Sequence, residues 1–503
     1  MIYNSSPYIQ VSTVCPAKFV LDTASGREAG VPPQEVFGSI MDDSDISETS
    51  ENVVEDDSIW EELELSSSSL SRPKPAGRCG HVALSCRGGN FLVVIGGYNE
   101  EGILDDIWAL DIGARLWSRV RTVGPSPPAR AFLRGCAGPP PAGEPAGPGD
   151  FGYLFGGSDA QGACSNEVWC LNLEARSWRL LHAGGGEAET AAPSPRTNHA
   201  LCNMEDLLVL HAGESPSGRQ LNDLWLFDPG DSSWIQARVS PTTPCPRARS
   251  SHCLGYAEEV GSLVVFGGLA EEGDHDPGDD DDGESMPLND LWVLSPASAE
   301  ALRGGGGGGG GAMNEQDLPV WSLILLDGVG PSPRSLAALG PRPTPEGDDR
   351  CKSGGTAELF LFGGYGLVEL PAPEEDVTGD LDPESGGIIM AYIDDLWGLS
   401  LSGKKSSEEG SVEHGLDQKS HGDTKTNTNT NTITNDTAML PPLMMGWVDE
   451  DGMGYSGTSP VEGRNGHSLV WCGERLVLFG GFVGDSFVAD VHVAETPPLA
   501  PLL

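Results

Sequence analysis

The amino-acid sequence predicts an all-β protein of six similar four-stranded sheets, and three observations carry that expectation. One sequence unit is written six times along the 503 residues. Each copy consists of short β-branched and aromatic runs bounded by Gly, Pro, Asn and Asp, the signature of an antiparallel meander. The 69 glycines and 39 prolines, together about a fifth of the chain, supply turns and interrupt helices.

The clearest element of the unit is an apolar run ending in two small residues. It reads FLVVIGG ending at Gly97, YLFGG at Gly157, LLVLHAG at Gly213, LVVFGG at Gly268, LFLFGG at Gly364 and LVLFGG at Gly481, with spacings of 60, 56, 55, 96 and 117 residues. Downstream comes an acid, an apolar residue and a tryptophan: DDIWALD from Asp105, NEVWCLN from Asn166, NDLWLFD from Asn222, NDLWVLS from Asn289 and DDLWGLS from Asp394. The sixth copy reads ADVHV from Ala489, with His492 where the others place Trp. A second tryptophan follows in five copies, at Trp117, Trp178, Trp234, Trp321 and Trp447. Each copy opens with an arginine: Arg78, Arg130, Arg196, Arg249, Arg334 and Arg464. Three residues on stand His81, His199, His252 and His467, while Leu133 and Ala337 take that place in copies two and five.

A single meander has two faces and can cover neither alone. Six packed radially about an axis cover them all and leave only short edges, the β-propeller arrangement. The composite pattern Arg-xx-His, apolar-Gly-Gly, acid-apolar-Trp, Trp resembles the kelch repeat, and the resemblance spans residues 58 to 494. It implies a six-bladed kelch-type β-propeller.

Ring closure is read from one more residue. The sixth copy has no second tryptophan, whereas Trp60 stands alone in IWEELEL ahead of the first copy. It lies 18 residues before Arg78, and the other gaps from second tryptophan to next arginine are 13, 18, 15, 13 and 17. An N-terminal strand at 58 to 65 is therefore predicted to complete the sixth sheet with strands at 467 to 472, 475 to 480 and 487 to 493. Residues 1 to 57, which include MDDSDISETSENVVEDD, lack a periodic apolar pattern and are expected to form a disordered acidic tail. Residues 495 to 503 form a C-terminal tail.

Long loops are expected at 270–287, 303–318, 340–357, 367–391 and 402–446, the last with a TNTNTNT tract. Two insertions between the second and third strands of copies four and five are acidic: EEGDHDPGDDDDGE at 271 to 284 and the stretch from Glu369 to Glu384. In an up-and-down meander they share a face with the start of each first strand, and so with the six arginines.

Charge and composition narrow the function. With 29 basic and 75 acidic side chains the formal charge is -46, which argues against nucleic acid as a partner. No run of 18 apolar residues exists, so no membrane insertion is expected. The opening MIYNSSPYIQVSTVCPAKFVLDTASG is broken by polar residues and has no basic residue ahead of an apolar core, so no secretory signal is read. The 11 cysteines are scattered without a CxxC pair, which signals neither a disulfide framework nor a zinc site. A cytoplasmic or nuclear location is the expectation.

Several motifs invite chemistry. The Gly-Gly pairs lead from strand to strand, without the helix N-terminus that a phosphate loop needs. The four repeat histidines recur around a ring, too far apart to chelate one ion. The six arginines match in number the six acids Asp106, Glu167, Asp223, Asp290, Asp395 and Asp490. They either form one buried ion pair per blade or, as the resemblance implies, line the channel mouth and recognise acidic or phosphorylated peptides. They are the candidate binding residues.

Two enzyme types on similar folds were weighed. The copper site of galactose oxidase, with two tyrosines and two histidines, finds no matching constellation. The ExxxDxxxH iron triplet of plant specifier proteins occurs as Glu413, Asp417 and His421, but in polar low-complexity sequence, where it reads as a chance match. The HDPGDDDDGE segment lacks the alternating ligand spacing of a calcium loop. No catalytic residue, metal or cofactor is therefore expected. The reading is a non-catalytic scaffold that binds a protein partner on the face of the arginines and acidic loops. Its alternatives are a metal-dependent enzyme of specifier or oxidase type and a ubiquitin-ligase substrate adaptor. For the latter, the 57 or so residues ahead of the ring are too few for a BTB module and lack the helical pattern of an F-box.

Overall fold

The computed structural model describes residues 60–66, 72–144, 150–185, 192–271, 285–304, 318–324, 330–343, 356–369, 388–402, 444–449 and 461–495. The expected acidic tail, most of both acidic insertions, the 402 to 446 insertion beyond Ser402 and Met444, and the triplet Glu413, Asp417 and His421 lie outside the described residues.

Six four-stranded antiparallel sheets organise the described residues. The first comprises Val82–Cys86, Phe91–Ile95, Ile107–Asp111 and Leu116–Val120, and the second Arg134–Gly138, Phe151–Phe155, Val168–Asn172 and Ser177–His182. The third holds Ala200–Met204, Leu207–Glu214, Gln220–Asp228 and Ser233–Gln236, and the fourth Cys253–Ala257, Ser262–Glu271, Ser285–Ser295 and Val320–Ile324. The fifth is Ala338–Pro341, Thr356–Phe362, Leu396–Ser402 and Met444–Asp449. The sixth is Ser468–Cys472, Arg475–Val483, Ser486–Ala494 and, from the other end of the chain, Trp60–Glu62.

The centres of the second strands are mainly apolar because both of their faces are covered. Six hydrophobic clusters lie between consecutive sheets. One joins Val94 and Leu110 of the first sheet to Val477 and Phe479 of the sixth. Others join the first sheet to the second and the fifth to the sixth. The first strands also touch in cyclic order and return to the start. The molecule is a closed β-propeller, with its core distributed between blades.

A backbone collar runs around the axis. The residue two positions after each opening arginine has positive φ: Gly80 at 61°, Phe132 at 56°, Asn198 at 51°, Ser251 at 54°, Leu336 at 55° and Gly466 at 60°. Each such amide is turned toward the neighbouring blade. Gly80 N donates to Gly466 O, Gly466 N to Leu336 O, Leu336 N to Ser251 O, Ser251 N to Asn198 O and Asn198 N to Phe132 O, at 2.7 to 3.3 Å. Among the described residues no such bond joins Phe132 to Gly80, so the seam between the first two blades is the one open link.

The N-terminal strand pairs with the sixth sheet as the spacing of Trp60 predicts; among the described residues it spans Trp60–Glu62, while 58 and 59 of the predicted strand lie outside them and 63 to 65 are not in it. Trp60 pairs with Ala494, Glu61 with Val493 and Glu62 with His492. The Trp60 ring is buried and meets Phe362 of the fifth blade edge-on at 5.4 Å. Replacing Trp60 with alanine is expected to cost about 3–5 kcal/mol, as for other buried tryptophans, measured by denaturant unfolding. A loss under about 1 kcal/mol would show that closure does not depend on this strand. Trp471, outside the repeat pattern, packs at the same interface: it is buried and its Nε1 donates to Gly340 O of the fifth blade at 3.1 Å.

Two loop expectations are corrected. The Gly-Gly pair does not end the ladder in the fourth and sixth blades, nor does its Ala-Gly counterpart in the third. It forms a bulge, with register shifts at His211/Gly213, Phe266/Gly268 and Phe479/Gly481, after which pairing resumes. The segment predicted as loop 270–287 is thereby narrowed, since Glu271 still pairs with Ser285. In the 367–391 region Tyr365–Glu369 pairs with Ile388–Tyr392, a hairpin that joins Arg334–Ser335 in a small three-stranded sheet. A short helix, Ala299–Arg303, capped by Ser298 and ended by Gly304 at φ 67°, also lies where no helix was read.

The arginine sites and the interaction face

Five of the six opening arginines are sealed inside their own blades. Arg249 shows the plan: its Nη1 and Nη2 each donate to Asp290 at 2.7 Å, Nη1 also donates to Gly267 O at 2.9 Å, and Nε to Arg247 O at 3.2 Å. Arg78, Arg196, Arg334 and Arg464 repeat it with Asp106, Asp223, Asp395 and Asp490. In each case Nε reaches the carbonyl two residues back and Nη1 the carbonyl of the first small residue of the pair, Gly96, Ala212, Gly363 or Gly480. These five guanidinium side chains are 0–2% exposed.

The same carboxylate has a second donor that sequence reading missed. Trp108, Trp225, Trp292 and Trp397 donate Nε1 to the acid two residues before them, at 2.7 Å in every case. In the sixth blade His492 Nε2 stands 2.9 Å from Asp490 and fills the tryptophan's role. The signal was present in the constant Asp-x-Trp spacing, because residues i and i+2 of a strand share a face. Burial alone would raise the carboxyls of Asp106, Asp223, Asp290 and Asp490, but the hydrogen bonds from arginine and its neighbour outweigh it and hold them below the ordinary range.

Of the two readings left open by the sequence, this geometry supports the ion pair at Arg78, Arg196, Arg249, Arg334 and Arg464. A peptide carboxylate would have to displace a bidentate partner inside a closed blade. Arg130 differs. Its acid is Glu167, at 3.7 Å, its other contact is Ala163 O at 3.4 Å, and its side chain is 16% exposed. Beside it a cleft of about 470 Å³ opens between the first and second blades, walled by Leu104, Leu133, Trp169 and Trp178 and rimmed by Arg119 and Arg121. It lies at the same seam where the backbone collar is open.

The second small residue of each bulge is held by sterics. A Cβ on Gly97, at φ 92°, would stand 2.8 Å from both Cys79 O and His81 Cβ. The first is tolerant: Ala212 occupies it in the third blade at φ 54°. The repeat histidines are interior groups. His81 Nε2 meets Ser468 Oγ at 3.0 Å, His252 Nε2 meets His211 Nδ1 at 2.9 Å and His467 Nε2 meets Phe362 O at 3.2 Å. His199 lies edge-on to Phe155 at 5.2 Å. Among the described residues no cluster of three His, Cys, Asp or Glu side chains has metal-site geometry.

The face on which the first strands begin carries the fifth-blade hairpin. On it Ile388 and Ile389, successive residues of one strand and so on opposite faces of the hairpin, are 57% and 42% exposed, with half-buried Leu367, Val368 and Met390 on the same arm. The acidic insertions leave from this hairpin, after Glu369, and from its neighbour in the fourth blade, after Glu271.

Fold and repeat geometry define a propeller whose blades each carry an arginine, an acid and an indole or imidazole donor in one plan. A family model described as the KLHDC2/KLHL20/DRC7 Kelch-repeats domain matches residues 148–303. These matches support a kelch-repeat family for the chain. It is 32% identical over 206 residues to Adagio protein 3 of Arabidopsis thaliana, covering 39% of this chain and 29% of that protein. It is 27% identical over 232 residues to Kelch domain-containing protein 3 of Rattus norvegicus, covering 45% and 56%. With Host cell factor 1 of Homo sapiens it shares 28% identity over 288 residues, covering 53% of this chain and 11% of that one. The chain thus spans little more than half, or less, of the length of these relatives.

Proposed function

We propose that this kelch propeller is a non-catalytic protein-interaction scaffold that takes its partner on the face carrying the blade starts and the fifth-blade hairpin. The observation that carries the reading is the exposure of Ile388 and Ile389 on the arm from which one acidic segment departs. Isolated exposed apolar residues need no explanation, but this hairpin carries one exposed isoleucine on each of its faces, an apolar arm that a partner can grip. The partner that fits is a basic segment with an apolar anchor. The anchor packs on the hairpin while the acids of 271–284 and 369–384 attract the flanking cations over a Debye length. The buried arginines then have a scaffolding role, holding first strand, bulge and third strand together so that the face is rigid. Support from the relatives is a likeness in the repeats alone.

The test is affinity capture with the intact chain beside Ile388→Asp/Ile389→Asp and a variant with the acids of 271–284 neutralised. The same partner should be lost from the first variant. Toward the second it should associate at least about tenfold more slowly, with a flatter salt dependence. Partners captured equally by all three chains would remove the proposal.

A further inference from the structure

The fourth residue after each opening arginine lies on the wall of the axial channel, and the six blades place Val82, Arg134, Ala200, Cys253, Ala338 and Ser468 there. Five are small and uncharged, while one carries a full positive charge. The channel cavity, about 160 Å³, is lined by first-strand residues of all six blades, and no carboxylate is among its described lining residues. Arg134 is half-buried, with its remaining exposure toward this cavity. Its one hydrogen bond among the described residues is from Nη1 to its neighbour's carbonyl, Leu133 O, at 3.3 Å. A guanidinium has five N–H donors to satisfy.

Nothing nearby supplies a compensating charge. Burial pushes the thiols of Cys79 and Cys253 up to about 12, so both stay protonated at neutral pH. Burial, with nearby cations, holds His81 and His252 well below their ordinary value, and His467 at about 3, so these rings are neutral. Burial also lowers Arg134 itself, the direction expected of a desolvated cation. An unpaired charge inside a protein is among the costliest features a fold can carry, and an anion that accepts its N–H groups offsets that cost. The cavity is well above the roughly 10–15 Å³ that one water requires, so a polyatomic anion fits with its own waters.

We propose that the axial channel holds one compact anion, a halide or an inorganic oxyanion, bound by the guanidinium of Arg134. The site is separate from the outer face of the proposed scaffold, and its fate does not depend on that reading. Its Arg134 arm reaches the channel because the second blade alone puts a long side chain at a position where the others keep the bore open.

Thermal unfolding of the full chain tests this at constant ionic strength, with a bulky organic anion replaced stepwise by chloride in one series and phosphate in another. The wild-type midpoint should rise saturably in at least one series, which also tells halide from oxyanion. Arg134→Ala should fold, since Ala200 and Ala338 occupy the equivalent positions. It should be the more stable chain in the bulky-anion buffer and should not respond to either small anion. Equal responses of both chains, or a wild type that responds to neither, would overturn the proposal. A readout that needs no variant follows the series that responds: where chloride raises the midpoint, chloride-35 line broadening by the wild-type protein is expected, and its absence there counts against the site.

Discussion

Asp290→Ala is expected to lower folding stability by about 3–5 kcal/mol, while Glu167→Ala, at the matching position of the second blade, is expected to cost about 1–2 kcal/mol. The difference follows from what each change leaves behind. Asp290 accepts both terminal nitrogens of Arg249 and the indole N–H of Trp292, each at 2.7 Å, and the Arg249 side chain is 0% exposed. Without the carboxylate, a buried guanidinium keeps only two backbone carbonyls and a buried indole loses its acceptor, so desolvation is uncompensated. Glu167→Ala also takes the acceptor of the Trp169 indole, at 3.1 Å, but Arg130 is 16% exposed and stands 3.7 Å from Glu167, so water replaces the partner lost by the guanidinium. Asp290→Asn keeps the shape but not the charge and should fall between the two. Urea unfolding of the three variants decides it: similar losses for Asp290→Ala and Glu167→Ala would mean that the arginine sites are energetically alike and that the second blade is not the exception.

Acid should destabilise the propeller well above the range in which carboxylates titrate. His81, His199 and His252 are held well below their ordinary value, and His211 and His467 are at about 3, in every case through burial first. In the unfolded chain each titrates near about 6.5. Between the lowered folded values and about 6.5 the unfolded state binds more protons, so stability rises with pH through this window and is fully present above it. As pH falls below about 6.5, each histidine removes up to about 1.4 kcal/mol per pH unit, and the five act together. Asp106, Asp223, Asp290 and Asp490, held low by their arginines and tryptophan or histidine neighbours, add their own loss only below about pH 4. Calorimetry from pH 8 to 5 should show a plateau, then a steep fall with proton uptake on unfolding that approaches one per buried histidine. A midpoint unchanged down to pH 5 would mean that these rings are not buried and neutral.

Much of this was legible in the letters. A repeat that needs the same contacts in every copy must write the same residues at the same offsets, so the sheet order could be read from Gly-Gly, acid-x-Trp and Arg. The lone Trp60 could be assigned to the last blade because only one copy lacked its second tryptophan. The bulges were less visible, since Gly-Gly signals a positive φ but not whether pairing resumes beyond it. The indole-to-carboxylate bond was missed because the acid-x-Trp spacing puts both side chains on one face without saying which acceptor the indole N–H finds.

Sequence alone determined the number and succession of the sheets and the way the ends meet, since a blade's identity rests on contacts between residues close along the chain. Only the tertiary structure decided what each arginine does. Arg78 and Arg249 are the same residue type as Arg130 and Arg134, yet the first two lie closed within a blade, the third lies at a seam and the fourth faces the axis. Recurrence in a sequence reports that a side chain is needed once per blade. Its charge state, solvent and partner come from neighbouring blades, which meet only when the ring is closed.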